Sequence, residues 1–270
     1  MLKPWFVLPL IAGIGGFAGG AGAAENLIVA TTTSMQDSGL LDVLVPAFEA
    51  KTHLKLKTIA VGSGEALAMG KRGDADVLLV HSPAAEEAFM SEGQGEKRLA
   101  VMHNDFVLIG PGADPAGVKG LDIIKALEKI AAAKAPFASR GDQSGTHKKE
   151  LDLWRKAGID PAGQGWYFST GQGIGETAHI AAGKQAYTLI DRGTCLAMGA
   201  RLGLPILCEG AKDLLNSYHV IVVSPEKHPK VHVRAARRFA EWIVSPRTQK
   251  LIGDFGRAKY GRSLFVPDAK

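Results

Sequence analysis

The stretch PFASRGDQSGTHKKELDLWRKAG, Pro136 to Gly158, decides the reading of this chain. A short apolar segment ends in Ser139 and Arg140, a turn of Gly, Asp, Ser and Thr follows, and an amphipathic pattern opens directly behind it. Strand, polar turn, helix is the half-unit of an α/β fold. The same order sets a guanidinium, hydroxyls and the unpaired N–H groups of a helix N-terminus around one point, which suits an anion. Taken alone, the stretch fits a well-capped helix as readily as a binding site, because Ser and Thr are ordinary N-caps. Arg140 fits the capping reading poorly. A cation ahead of a helix opposes its dipole, so either Asp142 or a ligand must supply negative charge there.

The plan recurs along the chain. NLIVATTTS, LKLKTIAVGSG, DVLLVHSP, DFVLIGP, WYFSTGQGIG, AYTLID, LPILCEG and SYHVIVVSP read as strands. GLLDVLVPAFEAKT, EALAMGKRG, LDIIKALEKIAAAKA, ETAHIAAGKQ and VHVRAARRFAEWIVSPRTQKLIGDFG read as helices. Their alternation predicts an α/β fold with mainly parallel sheets. Three more strand-to-helix turns are rich in hydroxyls and glycine: Thr31-Thr32-Thr33-Ser34, Gly62-Ser63-Gly64 and Ser169-Thr170-Gly171-Gln172-Gly173. In open α/β sheets ligands gather beyond the carboxyl ends of strands, so four such turns predict one shared crevice.

The ends and the composition narrow the class. Lys3, the apolar run Trp5 to Phe17 and the small residues Gly19 to Ala24 read as an export signal over residues 1–24, cleaved after Ala23 or Ala24. Roughly 245 residues would remain, enough for two lobes with their own cores. The formal net charge is +5, but Lys and Arg are dispersed, so nucleic acid is not an expected partner. Cys195 and Cys208 are the two cysteines. In an exported protein they are expected to pair, closing a loop worth about 2–3 kcal/mol.

Enzyme motifs are missing. Gly62-Ser63-Gly64 and Asp142-Gln143-Ser144-Gly145 lack the G-x-S-x-G spacing of a nucleophile elbow. Gly64 to Lys71 is one residue too long for a P-loop, and Gly171-Gln172-Gly173-Ile174-Gly175 lacks dinucleotide spacing. No two histidines stand at metal-ligand spacing beside a carboxylate, so no metal site is expected. His147 is expected to be a solvated helix residue. Glu65, Asp37 and Glu176 are ordinary first-turn acids, and Arg140-Gly141-Asp142 is a chance match to an adhesion tripeptide. The chain is not expected to be an enzyme.

VATTTSMQDSGLLDVLVPAFE, VGSGEAL, GDADVLLVHSPAAEEAFM, MHNDFVLIGP, FASRGDQSGTHKKELDLW, GQGIGETAHIA, AYTLIDRGT and YHVIVVSP together resemble the periplasmic tungstate-binding proteins of ABC transporters, the TupA family. The resemblance runs over nearly the whole mature chain. It implies a two-lobed class II periplasmic-binding-protein fold, with two crossover strands near His103 to Ile109 and Ser217 to Val222 and the ligand in the interlobe cleft. Lobe I would be residues 25–103 plus 221–270, and lobe II residues 104–220. It implies a periplasmic, monomeric protein that captures tungstate, needs no cofactor, and delivers the anion to permease subunits. Binding residues carried over by motif are Thr33, Ser34, Ser63, Arg140, Ser144 and Thr146, with Thr32 and Thr170 as secondary choices. Asp142 would orient Arg140 or cap the helix. Cys195 stands where the family has an aromatic residue, and with Cys208 it fits a lineage-specific disulfide. A shell of donors without an acceptor favours fully deprotonated tungstate, molybdate or sulfate over phosphate, which keeps a proton. The alternative is a binding protein for molybdate, phosphate or another tetrahedral oxyanion, used in sensing.

Overall fold

The computed structural model describes Met1 and residues 26–269. Apart from Met1, the expected export signal lies outside the described residues. The chain alternates strand and helix from its first described element. β1 (Asn26–Thr32) runs into α1 (Thr33–Asp37) and α2 (Leu41–Thr52), β2 (Lys55–Val61) into α3 (Ser63–Arg72), and β3 (Val77–Val80) into α4 (Pro83–Ser91). Pro83 opens α4, where its missing N–H would have had no helical partner. β4 (Gly95–Ile109) is followed by α5 (Ile123–Ala133), capped by the Asp122 carboxylate accepting from Ile124 N at 2.9 Å. β5 (Phe137–Ser139) leads into α6 (Gly145–Lys156), β6 (Tyr167–Ser169) into α7 (Ile174–Gly183), and β7 (Thr188–Asp191) into α8 (Arg192–Met198). β8 (Ile206–Cys208) and β9 (Leu215–Val223) precede α9 (Val233–Ile243), α10 (Pro246–Asp254), α11 (Arg257–Tyr260) and β10 (Val266–Pro267). Among the described residues no helix is long and apolar enough to cross a membrane.

The fold is α/β, yet the expectation of mainly parallel sheets is corrected. Parallel pairing among the described residues joins β1 to β2, β1 to β3 and β5 to β6. β3–β9, β4–β9, β4–β7, β4–β8 and β4–β10 are antiparallel. The cause is the pair of long connecting strands. β4 pairs with β9 from Gly95↔Val223 to Asp105↔Leu215, then changes partner, and Phe106 to Ile109 pair with β7. The motif DFVLIGP marks only the second half of β4. Its first half is partly exposed and carries Glu96, Lys97 and Arg98, which hides the strand from an apolar pattern.

Four buried clusters follow this division. Two draw on β1, β3, β9 and the helices packed on them, including Leu27, Phe48, Val220 and Phe239 on one face and Ala30, Leu78, Phe89 and Ile221 on the other. The other two lie on either side of the second half of β4: Phe106 and Leu108 pack with Phe137, Trp154 and Tyr187, while Val107 and Ile109 pack with Ile174, Ala178 and Ile190. This alternation corrects the disulfide. Cys208 belongs to the Phe106–Leu108 side and Cys195 to the Val107–Ile109 side, so the thiols lie on opposite faces of one sheet. Both are free and buried, and burial pushes each thiol up to about 11.

Candidate functional site

The site is built where strands end and helices begin. In the β1–β2 ladder Thr32 pairs with Val61, so the turns that follow, Thr33-Ser34 and Gly62-Ser63, emerge side by side. The first turn of α6 meets them from the other half of the molecule. A Cβ added at Gly64 would lie 2.9 Å from the Gln143 carbonyl oxygen, and one at Gly62 would lie 3.1 Å from Ser144 Cβ. A Cβ on Gly145 would lie 2.9 Å from Nδ1 and Cε1 of His81, which follows β3. Only glycines let these backbones close so tightly. The N-termini of α3 and α6 therefore face one another across the cleft, each bringing partial positive charge.

Arg140 crosses the same gap. It is 2% exposed, although it carries a full charge. Its Nη2 donates to Asp142 Oδ2 at 2.5 Å and to Thr33 Oγ1 at 3.3 Å, and Nε donates to the Gln172 carbonyl at 3.3 Å. That engages three of the five N–H donors of a guanidinium. Burial pulls the Arg140 pKa below its ordinary value, opposed by Asp142 and then by Asp37 and Asp191. Asp142 orients Arg140, the first of the two alternatives expected of it, and leaves the capping to Ser144. Its other oxygen accepts from Ser144 N at 3.2 Å, while Ser144 itself caps α6 by accepting from His147 N at 3.2 Å. Asp37 ties the halves together a second time by accepting from Gly175 N at 3.2 Å.

Among the described residues four buried side-chain polar atoms have no hydrogen-bond partner: Ser63 Oγ, Thr146 Oγ1, His81 Nδ1 and Asp191 Oδ2. Ser63 begins α3, Thr146 stands in the first turn of α6, His81 touches that turn, and Asp191 ends β7. A buried polar atom left unpaired costs about 1–3 kcal/mol. Three of these atoms gather at the meeting of the α3 and α6 N-termini, which fits a site completed by a bound acceptor, whereas Asp191 caps α8. The hydroxyls of Ser63 and Thr146 suit an oxyanion, as do the two remaining Arg140 donors. Burial holds His81 down to about 4, with Arg140 adding and Glu86 opposing, so the imidazole is neutral. Burial lifts Asp191 to about 6 against hydrogen bonds from Thr194 and Asn104.

The eight residues selected from sequence do not stand equally. Ser63, Arg140 and Thr146 hold donors with no protein acceptor. Ser34 is fully buried at the centre, but its Oγ already meets Thr32 Oγ1 at 2.9 Å, Tyr218 OH at 3.2 Å and His81 Nε2 at 3.3 Å. Thr32 spends its hydroxyl on Ser34, Thr33 accepts from Arg140, and Ser144 caps α6. Thr170 is not brought in. Its Oγ1 pairs with Thr177 Oγ1 at 2.8 Å, and its N–H donates to the Ser139 carbonyl, so it braces the Arg140 turn from behind. His147 is buried rather than solvated, and its Nδ1 accepts from Gln143 N at 3.1 Å. His81 and Asp191 were not singled out from sequence. Their signal was position, since each stands at the carboxyl end of a strand, as the hydroxyl-rich turns do.

Comparison with known proteins agrees with this architecture. A PBP superfamily domain model matches residues 19–247. The tungstate-binding protein TupA of Peptoclostridium acidaminophilum is 52% identical over 250 residues, covering 92% of this chain and 87% of that protein. The structure of the tungstate-binding protein TupA from Desulfovibrio alaskensis G20 is 50% identical with a TM-score of 0.75, covering 92% of this chain and 100% of that one. The tungstate ABC transporter structure from Geobacter sulfurreducens is 47% identical with a TM-score of 0.79, covering 86% and 100%.

Proposed function

The chain belongs to the TupA family of the PBP superfamily, and on that premise we propose that it captures tungstate in the cleft between α1, α3 and α6 and delivers it to an ABC permease. It is a substrate-binding transport component rather than an enzyme. The observation that carries the proposal is the set of unpartnered buried donors, Ser63 Oγ and Thr146 Oγ1, beside the buried Arg140 guanidinium. They converge from both halves of the molecule, so a tetrahedral oxyanion bound to all three favours the closed arrangement through differential affinity. A closed form recognisable by a permease is the output such binding produces. Residues 1–24 act as the export signal, and the protein works as a periplasmic monomer. Thr33, Ser34 and Ser144 shape the pocket, and Thr32 supports Ser34.

One observation favours a second reading. Asp191 Oδ2 is a buried, unpartnered carboxylate oxygen. An ionised carboxylate accepts from a protonated oxyanion such as phosphate and repels a fully deprotonated one. The relatives named as tungstate-binding proteins weigh against that reading. Calorimetric titration of the mature protein with tungstate, molybdate, sulfate and phosphate tests the proposal. Tungstate is expected to bind tightest; tight phosphate binding without tungstate heat would overturn it.

A further inference from the structure

A buried hydrogen-bonded relay crosses both connecting strands and ends at the cleft. Asn104 Nδ2 donates to Asp191 Oδ1 at 3.1 Å, and Asn216 Nδ2 donates to Asn104 Oδ1 at 2.7 Å and to Tyr218 OH at 3.2 Å. Tyr218 OH lies 3.2 Å from Ser34 Oγ, which lies 3.3 Å from His81 Nε2. The relay has a direction. The Asp191 atom Oδ1 already accepts from Thr194 N at 3.0 Å, so Asn104 must present its NH₂ group there and its carbonyl oxygen to Asn216. Asn216 must then donate to both of its neighbours. Tyr218, having accepted from Asn216, has its own proton to give to Ser34. Ser34 can accept from both Thr32 and Tyr218, and in that arrangement its own proton goes to His81 Nε2. An imidazole that accepts at Nε2 carries its proton on Nδ1. That nitrogen is the unpartnered one, and it abuts the first turn of α6 beside Thr146.

We propose that His81 is an oxyanion-binding residue that donates its Nδ1–H to the ligand, with its tautomer set by Tyr218 through Ser34. Tyr218, Asn216 and Asn104 are positioning residues. This deepens the reading of the cleft as an oxyanion site and rests on it. Neutrality of the ring fits the role. The charged groups around it, Arg140 and Glu86, act in opposite directions, and burial outweighs both. The ring also packs against Tyr218, with centroids 4.7 Å apart and planes tilted by 40°, which helps hold its orientation.

Two amide substitutions separate the two ring nitrogens. His81→Asn places an NH₂ near the Nδ1 position, and His81→Gln places one near Nε2. With sodium tungstate as the calorimetric probe, His81→Asn is expected to keep affinity within about threefold of wild type. His81→Gln is expected to lose about tenfold or more, the range of one hydrogen bond to a charged acceptor. Tyr218→Phe removes the hydroxyl that sets the direction and is expected to weaken tungstate binding while leaving the fold intact. In the wild type, long-range nitrogen-15 NMR should show the Nδ1–H tautomer of His81 with and without tungstate. Failure of the wild type to bind any of the four oxyanions would overturn the reading of the cleft. If the wild type binds tungstate, equal affinity of His81→Gln, or an Nε2–H tautomer, would overturn the role of His81 alone.

Discussion

Replacing Thr146 by Val tests whether the unpartnered hydroxyls serve a ligand or the fold. The two side chains have nearly the same shape, and the Thr146 hydroxyl is buried with no acceptor in the protein. Its removal takes nothing from the ligand-free fold and relieves an unpaired polar atom worth about 1–3 kcal/mol when the cleft is closed. The ligand-free melting temperature should therefore stay the same or rise. Binding should suffer, because an O–H donated to a charged acceptor is worth about 1.5–3 kcal/mol, or about 10- to 150-fold in Kd. At fixed saturating tungstate the ligand-induced gain in stability falls by the same energy. For a domain of this size that is about 3–12 °C of lost upshift. Ser63→Ala should repeat the pattern from the opposite wall. Calorimetry gives Kd, and differential scanning fluorimetry gives both melting temperatures. A lower ligand-free melting temperature with unchanged Kd would make Thr146 a fold element and refute the reasoning.

Arg140→Ala should weaken tungstate binding by about 2 kcal/mol or more, roughly 30-fold, as a charge-assisted pair is lost. Arg140→Lys should fall between, since it keeps the charge but loses the fork that spans Asp142, Thr33 and Gln172; equal affinity of all three proteins would remove Arg140 from the site. Glu150 is buried on α6, and burial lifts it to about 7 from an ordinary 4.5, against donors from Tyr167, Ser139 and Trp154. A raised carboxyl favours the fold below its unfolded value and loses that contribution as pH rises through the folded one. The melting temperature of wild type relative to Glu150→Gln should therefore fall between about pH 5 and pH 8, and a flat difference would contradict the shift. Thiol titration of the denatured, unreduced protein should count both Cys195 and Cys208 as free, whereas a two-proton mass deficit would restore the disulfide.

The turns were legible because hydroxyls and glycine cluster there. Ser63, Arg140 and Thr146 were selected from such clusters, and all three are buried. The same composition misled at Thr170, since a hydroxyl that caps a loop looks identical in sequence to one that faces a ligand. His81 and Asp191 carry the same strand-end position without the cluster, so nothing local raised them. The relay was illegible for another reason. Asn104 and Asn216 meet only because β4 and β9 pair antiparallel in the register Asn104↔Asn216, which depends on residues far apart in the chain. The cysteines failed similarly. Their separation along the chain suits a loop, and only the alternation of β4 places them on opposite sides of a sheet.

The most direct test is a crystal structure with tungstate, located by the anomalous scattering of tungsten. The tungsten peak is predicted between the N-termini of α3 and α6, with oxyanion oxygens within hydrogen-bond distance of Ser63 Oγ, Thr146 Oγ1 and the Arg140 guanidinium. A peak elsewhere on the protein, or a tungstate in the cleft that leaves those hydroxyls unpaired, would contradict it.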